Sequence, residues 1–144
     1  MAGKSIRVFV DSDVVISSLL STSGASYTLL HDTKEVELYV SNFSALELEK
    51  VTNRLQLNPE KLQKTISTRF ASVKINQSYE KVQEQFANYV RDVDDAHIVA
   101  GAKVAKVTFL ISYNIRHFES EKLRRDFKII LLTPGGFLQY LRSL

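Results

Sequence analysis

Acidic side chains stand in this chain where burial makes them costly. Asp11 closes the apolar run Ile6-Arg7-Val8-Phe9-Val10, and Asp13 follows two residues on. Asp92-Val93-Asp94-Asp95 runs straight into the small-residue stretch Ala96-His97-Ile98-Val99-Ala100-Gly101-Ala102. A second apolar run, Val107 to Ile111, ends in Ser112-Tyr113-Asn114, and Glu47 lies shortly beyond a third run that ends at Val40. A carboxylate at the mouth of a packed element is expensive unless something positive sits beside it. Three carboxylates (Asp11, Glu47 and Asp95) and the amide of Asn114 form an oxygen-only donor set, which suits Mg²⁺ or Mn²⁺. The chemistry such a centre supports is phosphodiester hydrolysis, in which the cation generates hydroxide from water and screens charge in the transition state.

These residues meet only if the right elements carry them. Ile6 to Val10 reads as a strand of the kind buried on both faces in a parallel sheet. Val14, Val15, Ile16, Leu19 and Leu20 then repeat at helical spacing up to a Ser-Thr-Ser-Gly break at 21 to 24, and a second helix follows from Ala25 to about His31. Glu37 to Val40 forms the next strand and feeds a helix from about Ser44 to Leu55. Asn58-Pro59 starts a helix carrying Leu62, Ile66 and Phe70. Tyr79, Val82, Phe86 and Tyr89 mark another amphipathic helix, and the two read as a local hairpin. A helix from Asp94 to about Lys106, small enough in its side chains to lie close against a sheet, precedes strands at 107 to 111 and 127 to 132. Thr133-Pro134 caps a last short helix. Alternating strands and helices predict an α/β fold, a three-layer sandwich with a mainly parallel central sheet. In such a sheet ligands gather beyond the carboxyl ends of the strands, where Asp11 and Asn114 lie, while Glu47 and Asp95 reach the same crevice from its walls.

Composition narrows the alternatives. At 144 residues the chain has the size of one domain, so a single domain over 1–144 is expected. The absence of cysteine removes disulfide scaffolds, thiol nucleophiles and cysteine-ligated zinc together. A net charge of +3 permits an anionic partner without demanding one. The opening Met1 to Ser5 is too short and polar for a signal peptide, and no apolar run approaches the roughly 18 residues of a membrane helix. A soluble cytoplasmic protein without membrane attachment is the expectation.

The runs Val8-Phe-Val-Asp-Ser-Asp-Val-Val-Ile-Ser-Ser-Leu-Leu20, Ser44-Ala-Leu-Glu47-Leu-Glu, Arg91-Asp-Val-Asp-Asp-Ala-His-Ile-Val-Ala-Gly-Ala102, Leu110-Ile-Ser-Tyr-Asn-Ile-Arg-His-Phe118 and Ile130-Leu-Leu-Thr-Pro-Gly-Gly-Phe-Leu138 resemble, in order, the successive signatures of PIN domains. The resemblance covers nearly the whole chain. It implies metal-dependent ribonuclease activity on single-stranded RNA, often as the toxin half of a toxin–antitoxin pair, with a small antitoxin protein as partner and a homodimer as the assembly. Position by position it makes Asp11, Glu47 and Asp95 the catalytic acids and metal ligands, Asn114 the occupant of a fourth acid's place, and Ser112 a hydroxyl near the metal. Asp13 replaces the more usual Asn. Losing one charge at Asn114 weakens a second cation more than a first, so one metal is expected. Asp13 or Asp94 is available to restore that charge.

Other readings stand beside these. Ser44-x-x-Glu47 is also a capping box, which leaves Glu47 evenly divided between cap and ligand on spacing alone. Asp92 and Asp94 have helix-capping and macrodipole roles open to them. His97 and His117 read as surface or core histidines. Arg116 and Lys122, in the basic run with His117, Arg124 and Arg125 around Phe118, are candidates for RNA phosphate contacts, against the usual explanation of a solvated helix face. Tyr79, Phe86 and Tyr89 read as core or as a homodimer surface. Val8-Phe-Val-Asp11-Ser-Asp13 also looks like the loop of haloacid-dehalogenase-type phosphatases, with Asp11 as nucleophile and Asp13 as acid. Chain order argues against that reading, because Asp94-Asp95 precede Ser112. A PIN-like module that has lost metal affinity and serves RNA binding or protein assembly is the non-enzymatic alternative.

Overall fold

A computed structural model describes residues 5–144, so the polar opening at 1–4 lies outside the described residues, and with it most of the segment considered as a signal peptide. Among the described residues five strands and eight α-helices follow one another: β1 (Ile6–Val10), α1 (Ser12–Leu20), α2 (Ala25–Asp32), β2 (Val36–Ser41), α3 (Asn42–Arg54), α4 (Pro59–Arg69), β3 (Phe70–Val73), α5 (Tyr79–Phe86), α6 (Ala96–Val104), β4 (Phe109–Ile111), α7 (Ser120–Phe127), β5 (Ile130–Leu132) and α8 (Pro134–Arg142). The strands form one sheet in the order β3-β2-β1-β4-β5, and every pairing is parallel. The expected α/β class holds, with a sheet parallel throughout. No helix among the described residues is long and apolar enough to cross a membrane.

Strand alternation sends side chains to two cores. Phe9, Leu110 and Leu131 face a cluster with Val82, Phe86, Val99 and Leu123 from α5, α6 and α7. Val8, Val10, Phe109 and Ile111 face the opposite cluster with Val14, Leu29, Leu48, Leu62 and Phe137 from α1, α2, α3, α4 and α8. Helices on both faces of the sheet are the predicted three layers. The small residues of α6 do what their size suggests: a Cβ placed on Gly101 would lie 2.5 Å from Phe9 Cζ, so only hydrogen lets this helix approach β1.

The helix starts at Asn58 and Thr133 are borne out. Asn58 Oδ1 accepts from the Glu60 and Lys61 N–H groups, and Thr133 Oγ1 from that of Gly136. The expected hairpin of helices is not, because β3 intervenes. Phe70 continues the four-residue apolar step of α4, yet its backbone pairs with Leu38, and Ser72 and Val73 pair with Val40 and Ser41. This edge strand shows no apolar alternation, so only its ladder with β2 defines it. Tyr89 sits in a 3-10 turn (Ala87–Tyr89) beyond α5, Phe127 ends α7 rather than opening β5, and β4 starts at Phe109, two residues later than expected.

Candidate active site

The chain reverses direction across the sheet at β1 and β4, and the crevice beyond their carboxyl ends is where a parallel sheet of this topology binds ligands. Beyond the last paired residues, Val10 and Ile111, the Asp11 N–H donates to the Ile111 carbonyl at 2.9 Å and the Ser112 N–H to the Leu132 carbonyl at 3.1 Å. Asp11 and Ser112 are thereby set side by side. Ser112 Oγ donates to Asp11 Oδ2 at 2.8 Å, while Asp11 Oδ1 takes the Ser12 N–H at 2.7 Å and caps α1. Asp13, one residue into that helix, leans back toward the β4 loop. Its Oδ2 accepts from the Tyr113 N–H (3.0 Å), from Asn114 Nδ2 (3.2 Å) and from Ser112 Oγ (3.4 Å), and its Oδ1 is buried without a hydrogen-bond partner.

Glu47 arrives from the opposite wall. Ser41, at the end of β2, caps α3 by accepting the Ser44 N–H at 3.1 Å, so the helix begins at Asn42. Ser44 is not the cap, and Glu47 sits in the second turn, out of reach of capping duty. Instead Glu47 Oε2 lies 3.5 Å from Nε2 of His97, a buried residue of α6 whose ring is flanked by Phe43 and Tyr79. His97 was underrated by sequence because a histidine among Ala, Ile and Val reads as core; it is core, with one nitrogen facing an acid of the cleft. Asp95 ends a 3-10 turn (Val93–Asp95) just ahead of α6, and its Oδ2 lies 3.4 Å from Nδ1 of His117.

Asp11, Asp13, Glu47, Asp92, Asp95, Asn114 and His117 all line one open cleft of about 470 Å³, with Ser12, Ser17 and the apolar Ile16, Leu20 and Val51 completing its wall. No Lys or Arg is among them. The electrostatic consequence is plain at Asp11, whose carboxyl is pushed up to about 8, first by burial and then by the negative charges of Asp13, Glu47 and Asp95, against the opposing Ser112 hydrogen bond. Burial raises Asp13 and Asp95 as well; at Asp95 the charge of His117 opposes the shift. Burial acts the same way on Glu47, but the neighbouring His97 outweighs it, and its pKa falls.

Among the described residues no three His, Cys, Asp or Glu side chains stand close enough together to grip a metal ion as they are. In donor type and charge the cleft nonetheless fits a hard divalent cation: hard oxygens, a surplus of negative charge and a bare buried oxygen on Asp13. The remaining sequence candidates separate. Asp92 caps the turn ahead of α6 by accepting the Asp94 N–H at 3.0 Å, as read from sequence. Asp94 turns outward, with Tyr79 Oη and Gln83 Nε2 each 3.4 Å from its Oδ1. Arg116 is exposed in the 3-10 turn (Ile115–His117) next to Asn114, and Lys122 Nζ donates to the Asn88 carbonyl at 3.2 Å, away from the cleft wall. Phe118 is buried, Arg124 pairs with Glu121 and Arg125 with Asp126, which makes most of the basic run a solvated face of α7.

A family model described as PIN domain matches residues 7–116. Comparison with curated proteins gives no match. Two of the solved structures that share the fold illustrate it. One is the crystal structure of VapBC2 from Rickettsia felis bound to a DNA fragment from their promoter, with a TM-score of 0.62 and 14% identity over 89% of this chain and 98% of that one. The other is FitAB bound to the IR36 DNA fragment, with a TM-score of 0.56 and 16% identity over 88% and 94%.

Proposed function

Because this chain belongs to the PIN-domain family, we propose that it is a divalent-metal-dependent endoribonuclease that hydrolyses phosphodiester bonds of single-stranded RNA, folded as one domain over 1–144. Members of that family are typically nucleases and generally depend on a divalent metal. The observation that carries the reading is the convergence of Asp11, Asp13, Glu47 and Asp95 on a cleft whose wall, among the described residues, contains no Lys or Arg. When bound there, Mg²⁺ or Mn²⁺ lowers the pKa of a water and screens charge on the phosphodiester.

The side chains have separable tasks. Asp11, Glu47 and Asp95 hold the cation, with Asn114 bordering the same cleft. Ser112 fixes the Asp11 carboxylate by its 2.8 Å hydrogen bond, and His97 steadies Glu47 from within the core. Arg116 and Lys122 meet RNA phosphates outside the acidic wall. The likeness to VapBC2 and FitAB supports a toxin role with a small antitoxin protein as partner; a homodimer acting in the cytoplasm completes the proposal.

The test is Asp11→Asn. The variant is expected to fold and to lose metal-dependent cleavage of single-stranded RNA; full activity in it overturns the assignment. One observation favours a binding-only module instead: no three acidic or imidazole side chains among the described residues are drawn tightly around a point. Melting with Mn²⁺ separates the two, since a ligand at about 100 times its Kd stabilises by roughly 2.7 kcal/mol. No shift at millimolar Mn²⁺ favours the binding module.

A further inference from the structure

We infer that Asp13 supplies the fourth carboxylate of this centre and that Asn114 is the residue that positions it. The inference rests on the metal-nuclease reading above. Positions 13 and 114, a hundred residues apart in the chain, touch: Asn114 Nδ2 donates to Asp13 Oδ2 at 3.2 Å. The same oxygen takes the Tyr113 N–H and sits 3.4 Å from Ser112 Oγ, so all three donors converge on Oδ2. Oδ1 is left with none, although it is buried. A buried carboxylate oxygen without a partner is costly, and Asp13 lines the same cleft as Asp11, Glu47 and Asp95, where a cation would relieve that cost.

The amide of Asn114 is committed as a donor to that carboxylate. Groups that hydrogen-bond a ligating carboxylate fix its direction, and that is the role its geometry gives Asn114. The contact is held from both sides. Asp13 belongs to the first turn of α1, and the β4 loop is anchored to α2 by a 2.6 Å hydrogen bond between Tyr113 Oη and Ser26 Oγ. Asp94, the other acid available to restore charge, faces Tyr79 and Gln83 instead.

An acid and an amide in contact keep their charge and their hydrogen bond when exchanged, which supplies the experiment. Mn²⁺ binding is measured by calorimetry on wild type, Asp13→Asn, Asn114→Asp, the double exchange and Asp94→Asn, with melting of each metal-free protein alongside. Asp13→Asn is expected to weaken Mn²⁺ at least about tenfold, and the double exchange to recover most of that loss. Asn114→Asp alone places two carboxylates in contact and is expected to lower the metal-free melting temperature at pH 8, which the double exchange restores. Asp94→Asn is expected to change nothing. Unchanged affinity in Asp13→Asn, a double exchange as weak as the single, or an equal loss in Asp94→Asn overturns the assignment of Asp13. Wild type that binds no Mn²⁺ overturns the metal-nuclease reading itself, and this assignment with it.

Discussion

Asp11 shows how much a side chain's surroundings add to its identity. Its position at a strand end was legible, because an acid directly after a strand whose last three residues are buried has few bland explanations; its protonation was not, since that depends on Glu47 and Asp95 closing in from two other segments as well as on nearby Asp13. The metal-free fold keeps the Asp11 proton up to about 8, whereas the unfolded chain releases it near 3.8. Across that window the folded state binds the extra proton, so this contribution to stability is full below about pH 4 and is lost as pH rises through about 8. Asp11→Asn is therefore expected to raise the stability of the EDTA-treated protein by several kcal/mol at pH 8.5, and to change it little at pH 3.5. Urea unfolding at the two pH values measures this, and an equal gain at both rejects it. A cation must displace the same proton, so Mn²⁺ affinity should rise over the same range. Glu47 and His97 were less legible: whether Ser44 or Ser41 starts α3 decides whether Glu47 caps a helix or faces the cleft, and a lone buried histidine carries no periodic signal.

Among the elements, α6 carries the clearest consequence. Its run of Ala and Gly predicted a close approach to the sheet, and Gly101 makes the contact with Phe9, a side chain with no exposed surface. A methyl group at 101 meets the ring of Phe9 at 2.5 Å and Ser41 Cβ at 3.3 Å. Gly101→Ala is expected to destabilise the protein by about 1–3 kcal/mol, since a packed core must shift to admit it. Because Phe9 precedes Asp11 by two residues and Ser41 caps the helix that bears Glu47, the same variant should also weaken Mn²⁺ binding. Chemical denaturation and calorimetry read the two effects, and a variant as stable as wild type sinks the packing argument. β3 is the opposite case. Its residues carry no apolar alternation and none is fully buried, so nothing local distinguishes them from the last turn of α4, and pairing with β2 alone makes them a strand.

The molecule as a whole separates its charge. A net charge of +3 coexists with a cleft that, among the described residues, is walled by acids and no Lys or Arg, so most of the basic surplus lies elsewhere. On the proposed ribonuclease reading, an RNA strand entering the cleft is drawn by basic residues at its rim, and Arg116 is exposed beside Asn114 and the cleft-lining His117. Arg116→Ala is expected to weaken RNA binding severalfold and to reduce the salt slope by about 1, leaving Mn²⁺ affinity intact. Filter binding across a salt series tests this; an unchanged slope removes Arg116 from the interface. The sequence by itself determined the order and kind of most elements, the parallel sheet and the residues placed at its carboxyl end, because hydrophobic period, caps and strand-end acids are local signals. The tertiary structure alone decided that Asp13 turns inward and Asp94 outward, that Asn114 donates to Asp13, and that a core histidine reaches Glu47. Those outcomes follow from contacts between residues far apart in the chain, where direction is set by packing and partner rather than by neighbours in sequence.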